Sequence, residues 1–217
     1  RRDLAKQRPE VVRQMTSKLK ELIDRGSSRA NQKSSNDTLV RFDTIQTKRW
    51  AIATKSPNDE KVQSVIDELD KLCRDQTIYM IGPTKAKRLA ELVRKKQPQL
   101  VVECGTAVGY SGLWIARELQ AAGKGKLITI EIDESRAKQA QANFTKAGLA
   151  DVVDVRVGDA RKLVREINQP VDFLFIDCNF SNYGPCFAGI EDRLEDGAVV
   201  VADNVGVGAS SMKDYLD

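Results

Sequence analysis

Histidine is absent from all 217 residues. Its absence removes Ser-His-Asp triads, Cys-His pairs and the commonest zinc sites. No apolar run reaches the ~18 residues that a spanning helix needs, and no signal-peptide pattern is present, so a helical membrane protein is excluded and a cytoplasmic setting is expected. The four cysteines, Cys73, Cys104, Cys178 and Cys186, form no C-x-x-C pair. Neither a zinc ribbon nor a thioredoxin-like motif is therefore encoded, and the thiols are expected to be reduced, most of them as small buried hydrophobes. The chain opens on Arg1-Arg2 rather than Met, which leads to the expectation of a fragment. An apolar share of 41% suits one ordinary domain with an appendage.

The net charge of +4 is uneven. Residues 1–60 hold 14 Lys/Arg against 8 Asp/Glu, and the remainder holds 21 against 23. The basic excess thus belongs to the N-terminal segment, where acids are interspersed and the only aromatics are Phe42 and Trp50. A solvated helix and tail accounts for this better than a nucleic-acid-binding arm. Pro9 can open a helix, and Val12, Met15, Leu19, Leu22 and Ile23 follow at helical spacing up to Gly26. Residues 26–37 are polar with almost nothing to bury and read as a linker, so residues 1–56 form a basic N-terminal extension.

From Asn58 the pattern changes. Val62, Val65, Ile66 and Leu69 predict a helix capped at Asn58 or Asp59, and a second helix follows Gly82-Pro83 with Ala86, Leu89, Ala90 and Val93 on one face. Short β-branched runs at Leu100–Cys104, Leu127–Ile132, Val152–Val157, Phe173–Ile176 and Ala198–Ala202 then alternate with helical patterns at 111–122, 134–147, 160–167 and 184–195. Such alternation predicts an α/β domain over residues 57–217, with a parallel sheet covered on both faces.

Ligands of open α/β sheets bind beyond the carboxyl ends of the strands. The first strand runs into Glu103-Cys-Gly-Thr-Ala-Val-Gly109. This G-x-x-x-G turn is neither the dinucleotide G-x-G-x-x-G nor a P-loop, and the carboxylate of Glu103 suits a cationic ligand better than a phosphate. On the second strand, Glu131 or Asp133 stands where an acid can hold two ribose hydroxyls. Asp159 or its neighbouring backbone can meet an adenine ring, and Asp159 can equally cap the following helix. Asp177 and the pair Asp203-Asn204 close the last two strands. Their oxygens converge on one point and suit a hard divalent cation such as Mg²⁺, with helix capping by Asp203 and Asn204 as the alternative.

These features together resemble the class I S-adenosylmethionine-dependent methyltransferases, and within them the catechol O-methyltransferase-like family. The likeness is carried by Tyr79-Met-Ile-Gly-Pro-Thr-Lys-Ala-Lys-Arg-Leu89, Val102–Ser111, Ile128–Asp133, Val157–Ala160, Val171–Asp177 and Val201–Val205, in order and at the right spacings. It implies a Rossmann-like three-layer sandwich with a mostly parallel sheet and S-adenosylmethionine as cofactor. It also implies a cofactor shell of Ile81, Gly82, Glu103, Gly105, Thr106, Tyr110, Ser111, Glu131, Ile132, Gly158, Asp159, Ala160 and Asp177. Within that shell Glu103, Gly105 and Ser111 lie against the methionine part, Glu131 at the ribose and Ala160 at the adenine edge. Mg²⁺ would be held by Asp177, Asp203 and Asn204, with Asp177 as the catalytic residue. The acceptor implied is a small catechol-like molecule.

The sequence departs from that pattern twice. Three positions after Asp177 the family carries a Lys that takes the hydroxyl proton, and here the residue is Phe180. The metal alone, Lys85 or solvent hydroxide would then have to serve, and a raised pH optimum is expected. The family sheet has seven strands, whereas this chain ends at Asp217 just inside the helix after Asn204. The C-terminal strands are thus expected to be missing, and the uncovered edge either to leave the chain less stable than a complete relative or to pair with a second copy as a homodimer. The head from Leu4 through Thr38 resembles the C-terminal tail of type I sulfatases. The sulfatase nucleophile motif is absent, so no such activity carries over. Two alternatives to the metal-assisted enzyme remain: a metal-independent small-molecule methyltransferase, and a degenerate fragment that binds the cofactor without turnover.

Overall fold

The computed structural model describes residues 56–75 and 80–205, with residues 73–75 described by their backbone alone. The helix expected from Pro9, the linker after it, the sulfatase-like run, Tyr79 and the side chain of Cys73 lie outside the described residues.

The elements follow in the order α1 (Asp59–Asp75), α2 (Gly82–Lys96), β1 (Leu100–Cys104), α3 (Tyr110–Ala122), β2 (Lys126–Glu131), α4 (Glu134–Lys146), β3 (Val153–Val157), α5 (Ala160–Leu163), β4 (Val171–Ile176), α6 (Tyr183–Ile190) and β5 (Leu194–Ala202). The five strands form one sheet in the order β3-β2-β1-β4-β5, and every pairing is parallel. This is the Rossmann-like architecture that the alternating pattern predicts. Chain order reverses on either side of β1, which opens a crevice at the strand ends.

Alternation along the strands divides the core into two layers. Val101, Leu127, Phe173 and Phe175 pack with α1 to α4, where Phe144, Leu113 and Ile66 are fully buried. Leu100, Val102, Cys104, Ile128, Ile130, Leu174 and Ile176 pack on the opposite face against Val164, Tyr183, Cys186 and Ile190. Outside the core, Arg117 Nε bonds Asp59 Oδ1 at 2.6 Å, tying α3 to α1, and Arg94 grips Glu118 through two bonds of 2.7 and 2.6 Å.

Several local expectations differ from what is observed. The helix expected over 184–195 stops at Ile190, because Leu194 joins the sheet opposite Val171. The run expected over 160–167 is a four-residue helix followed by a 3₁₀ turn at Val164–Glu166. Asn58 precedes α1, but its side-chain amide donates to the Gly148 carbonyl at 2.8 Å, so it bridges to the loop after α4 instead of capping its own helix.

Candidate active site

At the carboxyl ends of the strands lies a cavity of about 650 Å³, within the size range of small-molecule sites. The loop after β1 and the start of α3 bring Gly105, Thr106, Tyr110 and Ser111 to it. The end of β2 brings Glu131 and Ile132, the loop after β3 brings Gly158, Asp159 and Ala160, and the ends of β4 and β5 bring Asp177, Asp203 and Asn204. Ile81 completes the set at the start of α2. Of the residues expected at the cofactor, Gly82 and Glu103 are the two that do not line this cavity.

Gly105 is where the chain can turn at this point. Its φ is +104°, and a Cβ there would meet the Asp177 carbonyl oxygen at 2.0 Å. The β1 loop is thereby laid directly on the backbone that carries Asp177, and the Asp177 amide in turn donates to the Cys104 carbonyl at 2.9 Å. Glu131 is held from two sides, accepting the Ala107 amide at 2.8 Å and the Asp133 amide at 3.1 Å. Asp133 caps α4 through the Arg136 amide at 2.9 Å, so of the two acids Glu131 is the one at the cavity. Asp159 caps α5, and the Arg161 guanidinium pairs with it at 2.6 Å and lowers its pKa.

Glu103 departs from its expected place, and the reason is the strand period. It shares the face of Val101, so it points into the apolar layer beneath the loop, where it is fully buried. Its carboxylate accepts the Ser111 and Thr129 hydroxyls, and Thr129 is also bonded to Thr106. Burial pushes its pKa up to about 7 against the opposing pull of the two hydroxyls. Since this pKa is raised above the unfolded carboxylate range, the native state binds the extra proton, and stability falls as pH rises from about 4.5 to about 7. Glu103→Gln, which keeps the shape without the ionisation, is expected to remove most of a slope worth about 3 kcal/mol over that interval. Urea unfolding at pH 5, 6, 7 and 8 measures it; parallel slopes in both proteins contradict the assignment.

The acidic end of the cavity is built by the β4–β5 pairing. Ile176 stands opposite Ala202, and the Asp203 amide donates to the Ile176 carbonyl at 3.0 Å, so Asp177 and Asp203 leave the sheet side by side. Tyr183 Oη donates to the Asp203 carbonyl at 3.0 Å, and Asn204 takes a left-handed φ of 53°. Burial, and then the neighbouring Asp203 charge, push Asp177 up to about 6, opposed by Lys85. Lys85 Nζ donates to Asp203 Oδ1 at 2.7 Å and Asn204 Oδ1 at 2.9 Å. Both contacts tie Lys85 Nζ to the Asp203 and Asn204 oxygens at this end of the cavity. The oxygens of Asp177, Asp203 and Asn204 form a hard donor set that already attracts a cation, which is the chemistry Mg²⁺ requires. Among the described residues no cluster of three or more Cys, Asp or Glu is arranged to hold a metal ion, so this site has two carboxylates and an amide rather than a carboxylate cage.

Sequence reasoning missed Met80, Ala107 and Arg136 on the cavity wall. Arg136 could have been found, because it lies in the first turn of the helix that follows the ribose-side strand. Phe180 also lines the cavity and faces Tyr183, with ring centroids 6.0 Å apart. It presents an apolar ring where a proton acceptor was expected from family pattern. Among the described residues no helix is long and apolar enough to cross a membrane.

Comparison with known proteins agrees with this geometry. Residues 102–205 match the family model described as a methyltransferase domain. The chain is 37% identical over 129 residues to a catechol O-methyltransferase of Niastella koreensis, covering 58% of each protein. It is 32% identical over 168 residues to the "Probable O-methyltransferase" of Mycobacterium tuberculosis, covering 71% of each. Among solved structures it is similar to the O-methyltransferase TomG from Streptomyces achromogenes in complex with S-adenosylmethionine, with a TM-score of 0.61, 30% identity and coverage of 71% of this chain and 70% of that one. The chain thus spans 58% of the length of the Niastella protein.

Proposed function

Since the chain belongs to the class I S-adenosylmethionine-dependent O-methyltransferases, we propose that it transfers the sulfonium methyl to a hydroxyl of a small acceptor with two adjacent oxygens, of the catechol type. The observation that carries this reading is the juxtaposition, in one cavity, of Glu131 at the end of β2 and the Asp177, Asp203 and Asn204 oxygens at the ends of β4 and β5.

Glu131 would accept the ribose hydroxyls on lone pairs that the Ala107 and Asp133 amides leave over. Gly105, by letting the loop lie against Asp177, sets the distance between the cofactor end and the acidic end. Ile132, exposed at the rim in this structure, supplies an apolar face for the adenine. Mg²⁺ would be held by Asp177, Asp203 and Asn204, and when bound it supplies a positive charge that lowers the pKa of a nearby hydroxyl. Asp177 would act as a ligand of that cation, fixing the acceptor's two oxygens beside Asp203 and Asn204. Positioning in line with the sulfonium methyl contributes the rest.

Lys85 favours a second reading, metal-independent transfer, in which its ammonium takes the cation's place beside Asp203 and Asn204. The test is methyl transfer to catechol from S-adenosylmethionine with Mg²⁺ and with EDTA, in the parent and in Lys85→Met. Metal assistance predicts that EDTA lowers turnover at least tenfold and that Mg²⁺ restores it. Metal independence predicts indifference to EDTA and loss of turnover in the variant. With Phe180 at the family's Lys position, turnover is also expected to climb into the alkaline range as the acceptor hydroxyl ionises; a profile flat between pH 6 and 9 contradicts it.

A further inference from the structure

In the loop 105–109 that follows β1, three residues have backbone angles in the left-handed region: Gly105 at φ +104°, Ala107 at +46° and Gly109 at +90°. For the two glycines such angles are ordinary, but Ala107 carries a Cβ and is strained by them. An alanine stays there only where its surroundings hold it. The Ala107 amide is bound by Glu131 at 2.8 Å, and the Gly109 amide closes the turn on the Thr106 carbonyl at 2.8 Å. From the other side, Asn143 Nδ2 donates to the Val108 carbonyl at 2.8 Å. Asn143 is not among the residues that line the cavity; it lies in the last turn of α4, 35 residues along the chain from Val108.

The helix that carries Asn143 is fixed at both ends. Its first turn is capped by Asp133, two residues beyond Glu131. Past its last turn, the Gly148 carbonyl accepts the side-chain amides of Asn58 and Gln120, at 2.8 and 2.9 Å. Phe144, fully buried, lies so near the loop that a Cβ on Gly109 would meet its ring at 3.0 Å, and one on Gly112 at 2.7 Å. A donor hung from this helix therefore holds the loop at a set distance. Ala107 lies between two clasps, with Glu131 on its own amide and Asn143 on the carbonyl of the next residue.

We propose that Asn143 is a positioning residue for the cofactor: with Glu131 it clamps the Ala107-Val108 step in its strained geometry, so that the loop wall of the cavity is formed before S-adenosylmethionine arrives. Ala107 belongs to that wall, and Glu131, which holds its amide, is the acid at the ribose end. Without the Asn143 donor, Ala107 relaxes toward ordinary angles and its amide turns away from Glu131. Cofactor binding must then order the loop, and affinity falls accordingly. The proposal rests on the reading of this cavity as the S-adenosylmethionine site.

The test is calorimetric titration of the full chain with S-adenosylhomocysteine, beside the melting midpoint of the ligand-free protein. Asn143→Ala is expected to lose roughly tenfold or more in affinity, with its midpoint within about 4 °C of the parent, since the fold gives up one half-buried hydrogen bond. Asn143→Asp keeps the size of the side chain, removes the N–H donor and is expected to lose at least as much. Thr145→Ala, whose parent hydroxyl bonds its own helix at the Gln141 carbonyl, is expected to bind like the parent. The arm that separates clamping from general support is Asn143→Ala combined with Ala107→Gly. A glycine is unstrained at this φ, so the second change is expected to recover at least threefold of the lost affinity. Affinity within twofold of the parent in Asn143→Asp overturns the proposal, and so does a loss that Ala107→Gly leaves unrepaired. If Asn143→Ala fails to fold, the same rescue is read in Asn143→Asp. A parent that binds no S-adenosylhomocysteine overturns the cofactor reading and this proposal with it, whereas a parent that binds and variants that match it overturn this proposal alone.

Discussion

Gly105→Ala is expected to lower S-adenosylhomocysteine affinity by more than 100-fold, or to prevent the site from forming at all. The added Cβ would stand 2.0 Å from the Asp177 carbonyl oxygen, and its other two nearest neighbours are also backbone atoms. Backbone of a central strand cannot swing aside as a flexible side chain can. The left-handed φ of +104° adds strain of its own, of order 1–3 kcal/mol, and overpacking adds a comparable amount. Together these come to about 2–6 kcal/mol, and the middle of that range in cofactor binding exceeds two decades in Kd. Gly123→Ala is the matched control, because Gly123 has φ +66° but nothing within 4 Å of its Cβ. Calorimetric titration of both variants decides the matter; near-parental affinity in Gly105→Ala contradicts the loop assignment.

Asp203→Ala is expected to cut methyl transfer roughly 100-fold or more while leaving S-adenosylhomocysteine affinity within about threefold. Asp203 contributes to the acidic end of the cavity and follows β5, which two strands, β1 and β4, separate from the β2 end that carries Glu131. Its removal takes away a carboxylate from the cation site, frees Lys85 from the bond at 2.7 Å and relieves Asp177 of a like charge that raises its pKa. The kinetic and binding measurements separate two roles that a stability assay would merge. Equal losses in affinity and turnover would show that Asp203 supports the fold of the whole cavity instead of the chemistry at one end.

Much of this was legible in the sequence because parallel strands buried on both faces are written as β-branched runs. All five were placed, with the largest error on β5, which begins at Leu194 where Ala198 was expected. The reason is the polar Glu195-Asp196-Gly197 segment, which spells a loop. The pairing with β4 slips there, so that the regular match begins at Phe173 with Val199. Glu131, Asp177 and Asp203 could be located because each ends a strand and the carboxyl ends of parallel strands share one edge. The role of Glu103 was legible too, since Val101 and Glu103 must share a face, but that signal was overridden by its place beside a glycine turn. Lys85 meets Asp203 across 118 residues, and such a contact leaves no periodic trace.

The position of β1 between β2 and β4 has a consequence for how the molecule comes into being. A strand whose two neighbours are both made after it, one soon and one much later, acquires its partners in two instalments as the chain leaves the ribosome, and domains are built during synthesis from the N-terminal side. Lys126–Glu131 emerges long before Val171–Ile176, so the half that carries Glu131 can close while the half that carries Asp177 has yet to be translated. Until then the second edge of β1 stands bare, and a nascent chain stalled between Glu131 and Val171 would offer that edge to chaperones.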